Sequence, residues 1–408
     1  MRQNYSLLTY EGRNIVVFAG IIFGLVVSKA VLSISTIVLL VNFLVSYKEH
    51  KFNIFTKENI PNLIPVAFFA VSLVWFLFAS NKGLALKEMN ENLPWLILPL
   101  CIVALKHYSN QYLYLFLGLF VLMIAVSAVV VLINYFSNYD FYLKIISAGK
   151  SIDTPQDHVR YSLLLSFATI TTFYFGLVKL PKLFPKEQWF FVISFIFFAV
   201  TLHILSVRTG LITFYLGIVF LTVYKAIITK KWWFIPIVLV LVTLAPYWAY
   251  KNVPSFREKV YYMNYDWLQI NSNNINGNSD TKRLLSYKIA VSLIKEKPVL
   301  GYGIGTGKEV MNKYFEENYP EVTNQNRILP HNQFLFICLE MGFVGLAIFL
   351  LVLIVPLYKA IRNFNPLFIA LWLMVVASCM VENNLESQVA LSMYLFFSSL
   401  LLKIKQDE

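Results

Sequence analysis

Residues 112–134 read YLYLFLGLFVLMIAVSAVVVLIN, and no charged side chain interrupts them. A run of this length crosses the roughly 30 Å of bilayer hydrocarbon as a single helix. Comparable runs recur along the chain, at about 14–28, 31–47, 61–79, 93–106, 159–178, 188–207, 210–227, 233–249, 332–354, 366–382 and 388–403. Alternating polar and apolar positions, which a membrane barrel requires, are missing from them. Only 14% of the chain is charged and 58% is hydrophobic, whereas soluble domains carry about 25% charged residues. The reading is an all-α polytopic membrane protein with about twelve transmembrane helices.

One long passage breaks this pattern. Residues 250–331 hold 11 Lys/Arg and 8 Asp/Glu, an Asn-rich patch at 271–278, the glycine run GYGIGTG at 301–307 and the pair His331-Asn332. The chain thus divides into nine spans over 1–249, a long and partly helical loop over 250–331, and three spans over 332–408. Two smaller segments, 80–92 and 135–158, fall on the same side as the long loop.

The net charge of +12 would suggest a nucleic-acid partner in a soluble protein. Here it resides largely in loops, so none is expected. With the N-terminus in the cytoplasm, inner segments hold 16 Lys/Arg and short outer loops and span ends hold seven. The remaining 11 lie in the long loop, and long loops translocate largely regardless of charge. Both termini are therefore expected in the cytoplasm and 250–331 outside. Cys101, Cys338 and Cys379 all fall within apolar spans without metal-ligand spacing, so no metal site and no disulfide framework are expected. Arg2 and Arg13 before an apolar run ending at Ser28-Lys29-Ala30 faintly resemble a signal sequence, but a second span follows at once.

Within the long loop, Ser279-Asp280 can cap a helix running to about Lys297. Its broad apolar face would carry Leu284, Tyr287, Ala290, Val291, Leu293 and Ile294, with Arg283 projecting from the middle. A guanidinium on such a face needs an anion: either Asp280 one turn back, or a ligand held jointly with the helix start. GYGIGTGK fails both phosphate-loop and dinucleotide-fold spacing, and reads as a tight turn between closely approaching backbones. His331 opens the tenth span beside the capping residue Asn332. It is either an inert loop histidine or a general base kept neutral by the helix terminus. Arg208 closes the seventh span (LHILSVRTG). It either snorkels to headgroups or marks a substrate path, and Arg160 is a weaker case of the same kind. Glu340, Glu382 and Glu386 are candidate partners for these arginines, and His203 reads as a satisfied core residue.

Taken in order, Ser206-Val207-Arg208-Thr209-Gly210, Arg283 with Pro298 and the glycines behind it, His331-Asn332, and Glu340-Met341-Gly342-Phe343-Val344-Gly345 resemble the O-antigen ligase/polymerase superfamily. The resemblance covers the second half of the chain in motif and nearly all of it in topology. It implies a GT-C-like membrane glycosyltransferase of the bacterial inner membrane with its active site facing the periplasm. The implied donor is an undecaprenyl-pyrophosphate-linked glycan, the acceptor a lipid A-core sugar hydroxyl or another glycan, and membrane lipid surrounds both. Transfer would be inverting and would use no metal or other cofactor. On this resemblance Arg208, Arg283 and Arg160 would bind the donor pyrophosphate, and His331 would activate the acceptor hydroxyl. Tyr287 departs from the tryptophan common in the family. The polymerase of the same superfamily is the alternative, ahead of a protein O-oligosaccharyltransferase or a lipid or glycan transporter.

Overall fold

The computed structural model describes residues 10–50, 52–79, 81–105, 110–179, 188–269 and 279–403, and among these no strand occurs. The first half of the chain forms α1 (Tyr10–Val26), α2 (Lys29–His50), α3 (Ile60–Phe78), α4 (Lys82–Glu91), α5 (Pro94–Val103), α6 (Asn110–Ser137), α7 (Tyr139–Ser147) and α8 (His158–Phe173). There follow α9 (Gln188–Leu205), α10 (Arg208–Thr229), α11 (Phe234–Asn252), α12 (Pro254–Gln269), α13 (Ser279–Glu296), α14 (Gly307–Asn318), α15 (Gln333–Arg362), α16 (Pro366–Val381) and α17 (Gln388–Lys403). The Asn-rich patch at 271–278 lies outside the described residues.

Among the described residues, eight segments are long and apolar enough to cross a membrane: α2, α3, α6, α8 with its π-helical extension, α9, α10, α11 and α15. The other four expected spans fall on α1, α5, α16 and α17, which have 17, 10, 16 and 16 residues. Burial explains how short helices can belong here. Every residue of α17 from Val389 to Leu402 is buried, so its length need not match the hydrocarbon thickness. Helix α8 is likewise enclosed, and its hydroxyls, that of Thr171 excepted, find partners inside the bundle. Thr213 Oγ1 of α10 donates to Ser166 Oγ at 3.0 Å, and Ser127 Oγ of α6 donates to Tyr161 OH at 3.0 Å. Small polar residues of this kind let membrane helices approach and cross-link. By contrast α11 is almost wholly exposed, with Leu239, Val240 and Tyr247 facing outward, as a helix against lipid should be.

The passage 250–331 is mainly helical, through α12, α13 and α14. What anchors it is a break in α15. Gly342 has φ 63° and ψ −168°, a conformation open to essentially glycine alone. The break frees backbone groups, and the segment after α13 takes them up. Phe343 N–H donates to Pro298 O at 2.8 Å and Val344 N–H to Val299 O at 3.3 Å. In return Tyr302 N–H donates to Leu339 O at 3.0 Å and Gly303 N–H to Glu340 O at 2.8 Å. A Cβ on Gly342 would sit 2.2 Å from Val299 O, and one on Gly301 would sit 2.6 Å from Glu340 O. The glycine run is therefore the close turn expected of it, with several of its amides spent on α15 rather than on a ligand.

Glu340 does not pair with an arginine, contrary to one expectation. Its Oε1 accepts from Gly307 N–H at 2.9 Å. Glu88 of α4 approaches from the other side. Burial, followed by the nearby Glu340 charge and a hydrogen bond to it, pushes the Glu88 carboxyl up to about 10. Glu88 thus keeps its proton near neutrality and donates it to Glu340, clamping α4 to the glycine run.

Two outcomes test this architecture. Gly342→Ala should cost on the order of 1–3 kcal/mol, read as a lower melting temperature in detergent. Gly118→Ala, where a Cβ meets nothing within 4 Å, should leave melting unchanged or slightly raised. Because folding raises the Glu88 pKa, its proton is held best at low pH, and stability falls as pH climbs towards the folded value. The wild-type melting temperature should decline between about pH 6 and 9 on this account, and Glu88→Gln should flatten that slope. An unchanged slope in the variant would mean that Glu88 is not the buried proton carrier.

Candidate functional site

The site is assembled where α15 begins and α16 ends. Asn332 caps α15, its side chain accepting from Leu335 N–H at 3.0 Å, and its Nδ2 donates to Met380 O at 3.0 Å. These two bonds set His331, the preceding residue, against Glu382, the residue that follows α16. His331 Nδ1 lies 2.6 Å from Glu382 Oε2. An ionised carboxylate only accepts, so Nδ1 carries the proton in this bond. In the neutral ring the lone pair is then on Nε2, which has no hydrogen-bond partner among the described residues.

The other oxygen of Glu382 takes Arg283: Nη2 to Oε1 is 2.5 Å. Arg283 therefore does project towards the buried side of α13, but its partner is Glu382 rather than Asp280. The buried face differs from the one expected. It is formed by Ser286, Ile289, Ala290, Leu293 and Ile294, while Leu284 and Val291 are exposed. Ser286 can be buried because its hydroxyl donates to Arg283 O at 2.7 Å. Tyr287, one turn beyond Arg283, donates its hydroxyl to His331 O at 2.6 Å. That contact ties α13 to the base of α15.

Arg208 does not end a span; it is the first residue of α10. The chain turns at Ser206, which has φ 55° and whose hydroxyl donates to His203 O at 2.7 Å. Arg208 Nη1 contacts both oxygens of Asp280, at 3.0 and 2.9 Å. Asp280 stands one helical turn ahead of Arg283, so a single face of α13 links both arginines. Lys259 of α12 is a neighbour that sequence reading missed. Its pKa is lowered by burial and then by the charges of Arg208 and Arg283. Arg160 Nη1 pairs with Asp157 Oδ1 at 3.0 Å, and Asp157 also caps α8.

Electrostatics bind the cluster together. Burial alone would raise the Glu382 pKa, since its side chain is only 3% exposed. The hydrogen bond from His331, and then the charges of His331, Arg283 and Arg160, outweigh burial and hold it below the ordinary carboxylate range. The structure thus brings His331 and Arg283 onto one carboxylate, places Arg208 a turn away, and sets Arg160 near enough to influence that carboxylate. Glu386 is not an arginine partner, for its Oε1 accepts from Gln333 Nε2 at 2.5 Å. His203 is satisfied as expected, by Ala199 O at 2.7 Å and Tyr215 OH at 2.6 Å. Such a constellation offers a lone pair on an imidazole, a carboxylate able to stabilise the imidazolium, and guanidinium groups able to meet an anion.

Residues 193–350 match the O-antigen ligase family. This interval contains Arg208, Arg283 and His331 but neither Arg160 nor Glu382. The chain is also 33% identical over 94 residues to a protein of Rickettsia felis named "Putative polysaccharide ligase". That likeness spans 21% of either chain. The family that the motifs resemble is thus the one that the sequence matches, over residues 193–350.

Proposed function

We propose that the protein transfers a glycan from undecaprenyl pyrophosphate to a sugar hydroxyl of the lipid A core, at the periplasmic face of the inner membrane. The observation that carries this reading is the shared carboxylate: Glu382 bonds His331 Nδ1 and Arg283 Nη2 at once. In the proposed step, His331 Nε2 takes the proton of the acceptor hydroxyl, and Glu382 stabilises the imidazolium that forms. The hydroxyl oxygen attacks the anomeric carbon from the face opposite the leaving group, giving inversion. The bond from that carbon to the pyrophosphate oxygen breaks, and the pyrophosphate departs with its electron pair. Fixed guanidinium groups of Arg283 and Arg208, with Arg160 behind them, receive the charge that develops on it. No step in this scheme requires a metal.

Purified protein supplied with donor and acceptor tests the assignment. His331→Ala should lower turnover by about 10²–10⁴-fold with donor binding retained. Glu382→Gln keeps the shape but cannot neutralise the imidazolium, and turnover should fall by roughly 10–100-fold. Wild-type turnover in both variants would remove the base and its positioning partner. Arg283→Lys should lose about tenfold or more, because a point charge cannot reproduce the planar fork. Transfer should survive EDTA, and a strict need for added divalent cation would overturn the scheme. The ligase and polymerase versions separate on gene deletion. Loss of all polymer from lipid A, with lipid-linked chains accumulating, is the ligase outcome. Single repeats remaining on lipid A are the polymerase outcome.

A further inference from the structure

The connection from α16 to α17 holds more of the site than Glu382. Gln333, two residues after His331, is 1% exposed and spends both ends of its amide there. Its Nε2 donates to Glu386 Oε1 at 2.5 Å, and its Oε1 accepts from Leu385 N–H at 2.9 Å. On the other side of Glu382, Asn332 Nδ2 donates to Met380 O at 3.0 Å. The bond between His331 Nδ1 and Glu382 Oε2 is therefore flanked by contacts between the same two short stretches, 331–333 and 380–386.

The local backbone alone does not fix the Glu382 carboxylate. Glu382 N–H still bonds Ser378 O at 2.9 Å, but its backbone is extended, at φ −150° and ψ 153°, and the chain leaves α16 there. The residues that follow form one short turn, Asn384–Glu386, and an isolated 3₁₀ turn has poor hydrogen-bond geometry of its own. Leu385 is 2% exposed, so its N–H has no water to turn to and depends on Gln333 Oε1. The head group matters as well. Meeting a backbone N–H and a carboxyl oxygen at once takes an acceptor and a donor on the same head, which an amide supplies.

We infer that Gln333 is a positioning residue: by gripping Leu385 and Glu386 it keeps the Glu382 carboxylate on His331 Nδ1, and so keeps the imidazole lone pair on Nε2. The inference rests on the transfer reading for what that lone pair does, and on the hydrogen bonds alone for what holds it. Gln333 itself touches neither donor nor acceptor in the proposed step. A misplacement of about 1 Å can cost on the order of 100-fold in rate, so an amide behind the base can decide turnover.

Full-length protein carrying isotope-labelled histidine, in lipid bilayers at a pH where the ring is neutral, tests this by solid-state NMR without any substrate. The His331 signal, identified by its loss in His331→Ala, should show a protonated Nδ1 and a bare Nε2. Gln333→Leu should replace that single tautomer by a mixture and lower turnover by about 10–100-fold. Gln333→Glu combined with Glu386→Gln returns the same two head groups in exchanged order, with the amide at 386 donating to the carboxylate at 333. That pair should recover the single tautomer and most of the turnover. Gln388→Leu, which removes a 2.9 Å bond to Ser33 Oγ from the same connection, should change neither. An unaltered tautomer and turnover in Gln333→Leu would overturn the inference, as would equal losses in Gln388→Leu. Should Gln333→Leu not fold, the exchanged pair decides: recovery upholds the inference, and a folded pair with mixed tautomers overturns it. The tautomer lost in Gln333→Leu and regained in the exchanged pair, in a protein that transfers nothing, would uphold the positioning role and overturn the transfer reading instead.

Discussion

The site depends on a place where a membrane helix is broken and mended by another segment. Non-helical backbone at membrane depth is tolerated only where protein or water satisfies the freed groups. At Gly342 the segment 298–303 does this through four backbone hydrogen bonds, two in each direction. Side chains could not substitute, because the two backbones touch within a Cβ radius at Gly342 and Gly301. The consequence is positional. α13 runs directly into this docked segment, so the distance from Arg283 to the start of α15 is fixed by main-chain geometry rather than by flexible side chains.

A second constraint is the buried carboxylate at the end of α16. An isolated ionised carboxylate with 3% exposure would be strongly disfavoured. Two charged or hydrogen-bonded partners from α13 and the α15 start offset that cost, and the same partners keep it ionised. Removing Glu382 takes the shared partner from both His331 and Arg283, whereas removing either of those leaves the buried carboxylate with one partner fewer. The arrangement therefore fixes relative placement of three helices and, on the proposed chemistry, the tautomer of the base at the same time.

Much of this was legible in the sequence. Apolar runs placed the helices, the cap at Asn332 placed His331, and the cost of a guanidinium on an apolar face singled out Arg283. What was not legible depended on tertiary contact. Nothing local distinguishes Gly342 in MGFVG from an ordinary helical glycine, because its left-handed backbone exists only where Val299 presses on it. The spans read from the sequence end before Arg208 and resume at Gly210, yet the turn falls at Ser206, and Gly210 lies within α10 where it approaches Ser162. The face of α13 shifted because Ser286 could satisfy its hydroxyl locally. Glu382 was one of three candidate acids, and only folding decides which acid meets which arginine.

The two arginine pairs differ in a way that bears on how an anion could enter. Asp280 is 23% exposed and its contact with Arg208 stands alone, and an accessible pair of this kind is worth about 1 kcal/mol or less. Glu382 is held by two partners and almost closed to solvent. An arriving pyrophosphate, with more charge and more acceptor oxygens than a carboxylate, can displace Asp280 from Arg208 at little cost. It cannot displace Glu382 without exposing His331 and Arg283 together. On the proposed chemistry, Arg208 is then the arginine that changes partner on binding. On the same proposal Arg283 keeps its carboxylate, offers only its remaining donors and acts by staying in place.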